Sequence, residues 1–245
     1  MFPIHKGGDR SLVTNYRPVN LISVACKQMK HVIASYLRQV CDTNDWLYEG
    51  QHGFRPGYSC ESHIITVCQD IADSMDNNDR IDAIVIDFSK AFDLVPHDWL
   101  LMKIAISGVD TRVVAWAREF LLGRTQRVKV GGQLSEEVKS NSGVPQRSVL
   151  GPLLFLANVN DIWRNTESSI RLFAVDCVIY TKIINNEDIE NLQKDLDRLG
   201  EGAAENAMKI NPSKCKAVRF ARARVKGPLN YTVGDQVIAE ASICK

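Results

Sequence analysis

The chain has 245 residues, a formal net charge of +1, and 45% hydrophobic and 24% charged residues. That is enough to bury a sizeable core, in one large domain or two small ones, and the near-neutral balance by itself says little about a nucleic-acid partner. No apolar run approaches the roughly 20 residues of a membrane-spanning helix, the opening MFPIHKGGDR is too polar for a secretory signal, and seven cysteines without a C-x-x-C pair argue for reduced thiols inside a cell rather than a disulfide frame or zinc site.

Residues 1–20 read as loop or short strand, punctuated by Gly7–Gly8 and Pro18. Leu21 to Val40 carries apolar residues at helical spacing. Gln51 to Cys60, QHGFRPGYSC, is glycine-rich and reads as a loop with close backbone contacts. Ser62 to Met75 returns to helix. Ile81 to Ile86 is a nearly continuous apolar run, the signature of a strand buried on both faces, and it ends at Asp87. Ser89 then caps a short turn or helix that Pro96 stops. Trp99 to Ile106 is helical. Asp110 or Thr111 caps the next helix, and Gly123 ends it. Arg127–Val130 and Leu134–Lys139 read as a hairpin through Gly131–Gly132. Gly143 to Gln146 is a constrained loop leading into a helix from about Val149 to Asn160. Ile170–Ala174 and Cys177–Thr181 form a tight hairpin around Val175–Asp176. Asp188 to Ala207 is amphipathic, with Ile189, Leu192, Leu196 and Leu199 as its stripe. Short strands follow near 217–220, 231–233 and 236–238. The mixture is α+β. The strands at 81–87, 170–174, 177–181 and 217–220 can form one small sheet with helices on one face.

Such a sheet brings Asp87 and Asp176 together from strand ends far apart in sequence. A charge at the tip of a buried strand must be paired, hydrated or metal-bound, although a strand-end acid can also simply cap the next turn. Two carboxylates at one sheet edge suit a pair of Mg²⁺ ions, which clamp the attacking and leaving oxygens of a phosphoryl transfer. The Phe88 carbonyl offers a further ligand. With Lys6, Arg17 and Arg55 to meet a triphosphate, this becomes a nucleotidyl-transfer site. A two-metal nuclease or phosphohydrolase is a competing reading, weakened because nothing supplies a base for water. Basic residues crowd Lys209 to Lys226 and Arg124 to Lys129, a pattern that fits either a phosphate-backbone contact or a solvated face.

Six ordered blocks then carry a resemblance: NYRPVNLISV, QHGFRPGYSC, DAIVIDFSKAFDLVPH, SGVPQRSVLGPLLF, FAVDCVIY and MKINPSKCKAVRF. Together they resemble the reverse transcriptase domain of non-LTR (LINE-like) retrotransposons of insect type, over essentially the whole chain. The resemblance implies a right-hand polymerase fold, fingers and palm only, with a small antiparallel palm sheet backed by helices. Fingers would occupy 1–80, and palm with finger insertions 81–245. It implies RNA-directed DNA synthesis with an RNA template, a DNA primer, deoxynucleoside triphosphates and two Mg²⁺ ions, with Mn²⁺ as a possible substitute; the sequence itself points to no membrane and makes no protein partner evident. Asp87, Asp176 and the Phe88 carbonyl would hold metal. Phe92 would block a ribose 2′-hydroxyl, Arg17 and Lys6 would meet the incoming triphosphate, Gln146 would line the nascent pair, Arg55 would touch the template, and Lys214 would act as acid toward pyrophosphate.

The sequence departs from this pattern at three places. Val175 stands where the family's F-A-D-D hairpin has its first acid, and valine cannot hold Mg²⁺. Arg147 replaces the glycine of P-Q-G-S. Gly202 replaces a tryptophan, a loss of packing if that site is core. The expectation is an impaired enzyme or an inactive remnant that keeps nucleic-acid affinity, from a copy without the endonuclease, the complete primer grip and the thumb.

Overall fold

The computed structural model describes residues 1–21, 23–146, 148–222 and 227–241. In chain order its elements are β1 (Phe2–His5), β2 (Tyr16–Val19), α1 (Val24–Thr43), α2 (Cys60–Asp76), β3 (Arg80–Ser89), α3 (Ala91–Leu94), α4 (His97–Ile106), α5 (Thr111–Leu121), β4 (Thr125–Gln126), β5 (Lys129–Val130), β6 (Gln133–Leu134), β7 (Val138–Lys139), α6 (Leu150–Val159), β8 (Ser169–Phe173), β9 (Asp176–Ile183), α7 (Asn186–Glu205), β10 (Lys209–Ile210), β11 (Lys216–Phe220), β12 (Thr232–Val233), β13 (Gln236–Val237) and β14 (Ala239–Glu240). Caps set several of these bounds. Ser23 accepts from the Cys26 N–H and starts α1 three residues after Leu21. Asn185 and Asp188 form a capping box, so Asp188 lies inside the first turn of α7 rather than at its start.

Two compact units divide the chain, each built from two segments: 1–47 with 92–158, and 48–91 with 159–245. The second unit holds α2, which lays Val67, Ile71 and Met75 on Ile81, Ala83 and Tyr180 of the sheet.

In the first unit β1 and β2 pair antiparallel, Ile4 opposite Arg17. Helix α6 is apolar all round, and Leu150, Leu154, Phe155 and Leu156 are essentially inaccessible, which is the environment such a helix requires. The anticipated hairpin is a stepped ribbon, β5 on β6 and β4 on β7. Its two-residue turn uses Gly131 and Gly132 at φ +56° and +86°, both left-handed as a type I′ turn requires.

In the second unit the sheet order is β14-β11-β3-β9-β8, with β10 on the far end of β3. Pairing is antiparallel except between β11 and β14. β3 extends two residues past Asp87, because Lys209 and Ile210 give Ser89 and Phe88 strand partners. Its alternate residues Ile84 and Ile86 are buried on one face with Cys177, Ile179 and Ala217. Helix α7 buries Leu192, Leu196, Leu199 and Ala203 and packs on β9 and β10. On the other face α2 covers one end only. Val85 stays 40% exposed, and this open end carries the acids.

Candidate active site

Asp87 and Asp176 are directly opposite in the β3–β9 register, as its last pair. Side chains of opposed residues share a sheet face, so both carboxylates stand on the open end. Asp176 is the first residue of β9 rather than part of the turn, which is formed by Ala174 and Val175. Partial burial, then the charge of Asp87, holds the Asp176 carboxyl above its ordinary range. Lys214 lies on the loop between β10 and β11 and reaches Asp87 Oδ1 at 3.5 Å. The Asp87 carbonyl accepts from the Asn211 N–H at 2.8 Å. Peptide groups alternate along a strand, so the Phe88 carbonyl faces the β9 side, past the point where β9 begins. Among the described residues no three His, Cys, Asp or Glu side chains cluster as a metal site; the acidic site is a pair.

The glycine-rich loop ahead of α2 grips the turn before Asp176. Gln51, 2% exposed, accepts at Oε1 from the N–H groups of Gly53 and Ala174 at 2.7 and 2.9 Å. Sequence reasoning missed Gln51, because a loop glutamine ordinarily faces water. The available signal was the glycine two residues on, Gly53, which marks a close backbone approach: a Cβ there would lie 2.1 Å from the Ala174 nitrogen.

The first unit joins Phe92 and Gln146 in one local frame. Val144 N–H donates to the Phe92 carbonyl at 2.8 Å and Gln146 Nε2 to Asp93 Oδ1 at 2.7 Å. Gly143, at φ +80°, would put a Cβ 2.7 Å from the Asp93 carbonyl oxygen, so glycine is required. The Phe92 ring stacks on Phe155, centroids 4.4 Å apart. Lys6 and Arg17 share the exposed face of the β1–β2 ribbon with Ile4. Arg147 lies outside the described residues.

Other basic residues are committed within the protein. In the second unit Arg55 donates to the Tyr48 carbonyl at 2.8 Å and stacks over Tyr58. Arg219 turns inward to Asp82, and Arg222 pairs with Asp76, while Lys209, Lys214 and Lys216 are exposed. Arg224 and Lys226 lie outside the described residues. In the first unit Arg124 donates to the Gly143 carbonyl at 2.8 Å and Arg127 pairs with Glu137 at 2.9 Å. Among the described residues neither basic stretch is a continuous free patch, because Arg124, Arg127, Arg219 and Arg222 are each spent on a carbonyl or carboxylate of the protein.

The sequence pattern of the family described as reverse transcriptase (RNA-dependent DNA polymerase) matches residues 4–233. The chain belongs to that family. The RNA-directed DNA polymerase of the mobile element jockey from Drosophila melanogaster is 30% identical over 231 residues, 89% of this chain and 25% of that protein. The probable RNA-directed DNA polymerase of transposon BS, also from Drosophila melanogaster, is 28% identical over 86% of this chain and 24% of its own length. This reverse transcriptase domain thus has non-LTR retrotransposon homologues of insect type and spans about a quarter of the length of those relatives. Among solved structures, apo telomerase from Candida tropicalis superposes with a TM-score of 0.55 at 12% identity, over 84% of this chain and 46% of that one. The fold is the α+β polymerase fold expected.

One departure is reinterpreted by the structure. Gly202 is not a vacated core position: a Cβ there would sit 2.9 Å from the Ile162 carbonyl oxygen. Backbone occupies the space a tryptophan stem would need.

Proposed function

We propose that this reverse transcriptase domain extends a DNA primer on an RNA template by two-metal nucleotidyl transfer, at a rate lowered by Val175. The observation that carries the reading is the opposed pair Asp87 and Asp176. Their oxygens, with the Phe88 carbonyl, are the hard donors Mg²⁺ prefers, with Mn²⁺ as a substitute. Bound divalent ions would supply charge compensation for the phosphoryl transition state. Asp87 and Asp176 hold that charge in place, and Phe88 contributes through its backbone. Lys214, an exposed ammonium beside Asp87, donates a proton or hydrogen bond to departing pyrophosphate. Arg17 and Lys6 neutralise the incoming triphosphate. Phe92 excludes a ribose 2′-hydroxyl, its ring fixed by Phe155, and Gln146 lines the nascent pair. Arg55 meets template with the guanidinium donors that Tyr48 leaves over. In this functional division residues 1–80 serve as fingers, and 81–245 as palm with finger insertions.

Val175 favours a second reading, a domain that retains nucleic-acid binding without catalysis. Primer extension on an RNA template, with Mg²⁺ and then Mn²⁺, separates them. Extension by the chain as it stands, abolished in Asp87→Asn, supports the polymerase. Extension by Val175→Asp alone supports the second reading and places the defect at residue 175. No extension by either overturns both the catalytic assignment and the role given to Val175.

A further inference from the structure

We propose that Gln51 is a positioning residue for Asp176, acting as a clamp on the turn that precedes it; the proposal rests on the reading of Asp176 as a metal-holding carboxylate. The β8–β9 turn has a difficult residue at its apex. Ala174 sits at φ +59°, a left-handed conformation that an L-residue with a side chain adopts only when its surroundings enforce it. As a turn residue it has no place in the strand ladder for its own N–H and carbonyl. One side chain serves both. Gln51 Oε1 accepts from Ala174 N–H at 2.9 Å, and Gln51 Nε2 donates to the Ala174 carbonyl at 3.4 Å. A side-chain amide carries the acceptor and the donor on one rigid planar group, as this pairing requires.

The clamp is itself held. Its Oε1 takes a second N–H, from Gly53, at 2.7 Å. The flanking backbone is laced to β8: His52 N–H donates to the Leu172 carbonyl at 2.7 Å and Leu172 N–H to the Gly50 carbonyl at 2.8 Å. Gly53 completes the fit, since a Cβ there would overlap the Ala174 backbone. Asp176 follows two residues later, opposite Asp87. Where the turn closes therefore decides where the second carboxylate stands. The motif Q-H-G ahead of α2 and the hairpin F-A-V-D are two halves of one device.

The test uses the full chain with two readouts: hydrogen exchange at the Ala174 amide relative to Ile179 in β9, and Mn²⁺ affinity. Gln51→Met keeps the length and removes the acceptor. It should speed Ala174 exchange about tenfold or more with Ile179 unchanged, and weaken Mn²⁺ binding about tenfold, the lower end of the effect of losing a residue that orients a ligand. Adding Ala174→Gly should recover the affinity, because glycine takes the left-handed conformation unaided. Gln51→Asn, one methylene short, should move both readouts the same way and serves if Gln51→Met does not fold. Unchanged Ala174 exchange in these variants overturns the clamp. So does a loss of Mn²⁺ affinity no larger than in a control variant of equal stability loss far from the turn. If the parent chain binds no Mn²⁺, the metal reading fails, and hydrogen exchange alone decides the clamp.

Discussion

Helix α7 carries two glycines two residues apart, and the same substitution at each should have opposite sign. Replacing a mid-helix glycine by alanine stabilises a helix by about 0.8–1 kcal/mol, because alanine loses less backbone freedom. At Gly200 nothing lies within 4 Å of the added Cβ, so Gly200→Ala should gain that amount in full. At Gly202 the Cβ would lie 2.9 Å from the Ile162 carbonyl oxygen, with Ile162 Cα at 3.3 Å and C at 3.4 Å. Backbone cannot swing aside as a side-chain end can, and overpacking of this kind costs about 1–3 kcal/mol. The propensity gain offsets part of this, leaving Gly202→Ala at a net loss of up to about 2 kcal/mol. Comparing the two variants cancels propensity and isolates the clash, about 1–3 kcal/mol, or roughly 2–12 °C in Tm for a chain of this size. Urea unfolding followed by far-ultraviolet circular dichroism, with unchanged slope, measures it. Equal stabilisation by both variants would refute the close approach of Ile162 and restore the view of residue 202 as an emptied core site.

Three further outcomes follow from the second unit. Tyr231→Phe removes the hydroxyl that donates at 2.9 Å to Asp82, a side chain with 0% exposure; leaving that charge one donor short should cost about 1–3 kcal/mol in urea unfolding. Asp176→Asn should stabilise the metal-free protein at pH 7 by about 0.2–1 kcal/mol, allowing for solvent screening. The sign follows from a folded-state pKa raised above the unfolded value: the unfolded chain releases this proton first, so stability falls as pH rises through the interval between the two. The Asn advantage should vanish below the unfolded value, and an advantage persisting at pH 3 would contradict the assignment. Val175→Asp should tighten Mn²⁺ binding at least about tenfold, worth about 1.4 kcal/mol, and lower stability in chelator, where a further carboxylate meets no cation; calorimetry that finds equal affinity would count against Val175 as the defect.

The legible parts were those fixed by local rules. Ile81 to Ile86 declared a strand, buried on one face throughout and on the other only as far as α2 reaches, since Val85 is 40% exposed; Asp82 is the one polar residue in the run, and Arg80, Arg219 and Tyr231 answer its charge. Gly131–Gly132 announced its turn because few other residue pairs take two successive positive φ values. The acid pair followed once four apolar runs were placed in one sheet. What stayed hidden depends on contacts across long sequence gaps. The role of Gln51 needs a partner 123 residues away. The extension of β3 to Ser89 needs β10, only two residues long, and β14 pairs parallel to β11 with no periodicity to reveal it. Gly202 looked like a loss because sequence registers a missing side chain, not the Ile162 backbone that fills its place. The basic stretches looked continuous because a one-dimensional reading cannot see the partners, such as Asp76, Asp82 and Glu137, that take up their arginines.

The most direct test of the central claim is a Mn²⁺ titration of the intact chain, followed by water-proton relaxation, beside Asp87→Asn and Asp176→Asn. If the opposed carboxylates form the metal site of a reverse transcriptase, the chain binds Mn²⁺ saturably, Mg²⁺ competes, and either substitution weakens binding at least about tenfold. Binding that survives Asp87→Asn undiminished, with the variant still folded, would contradict the account.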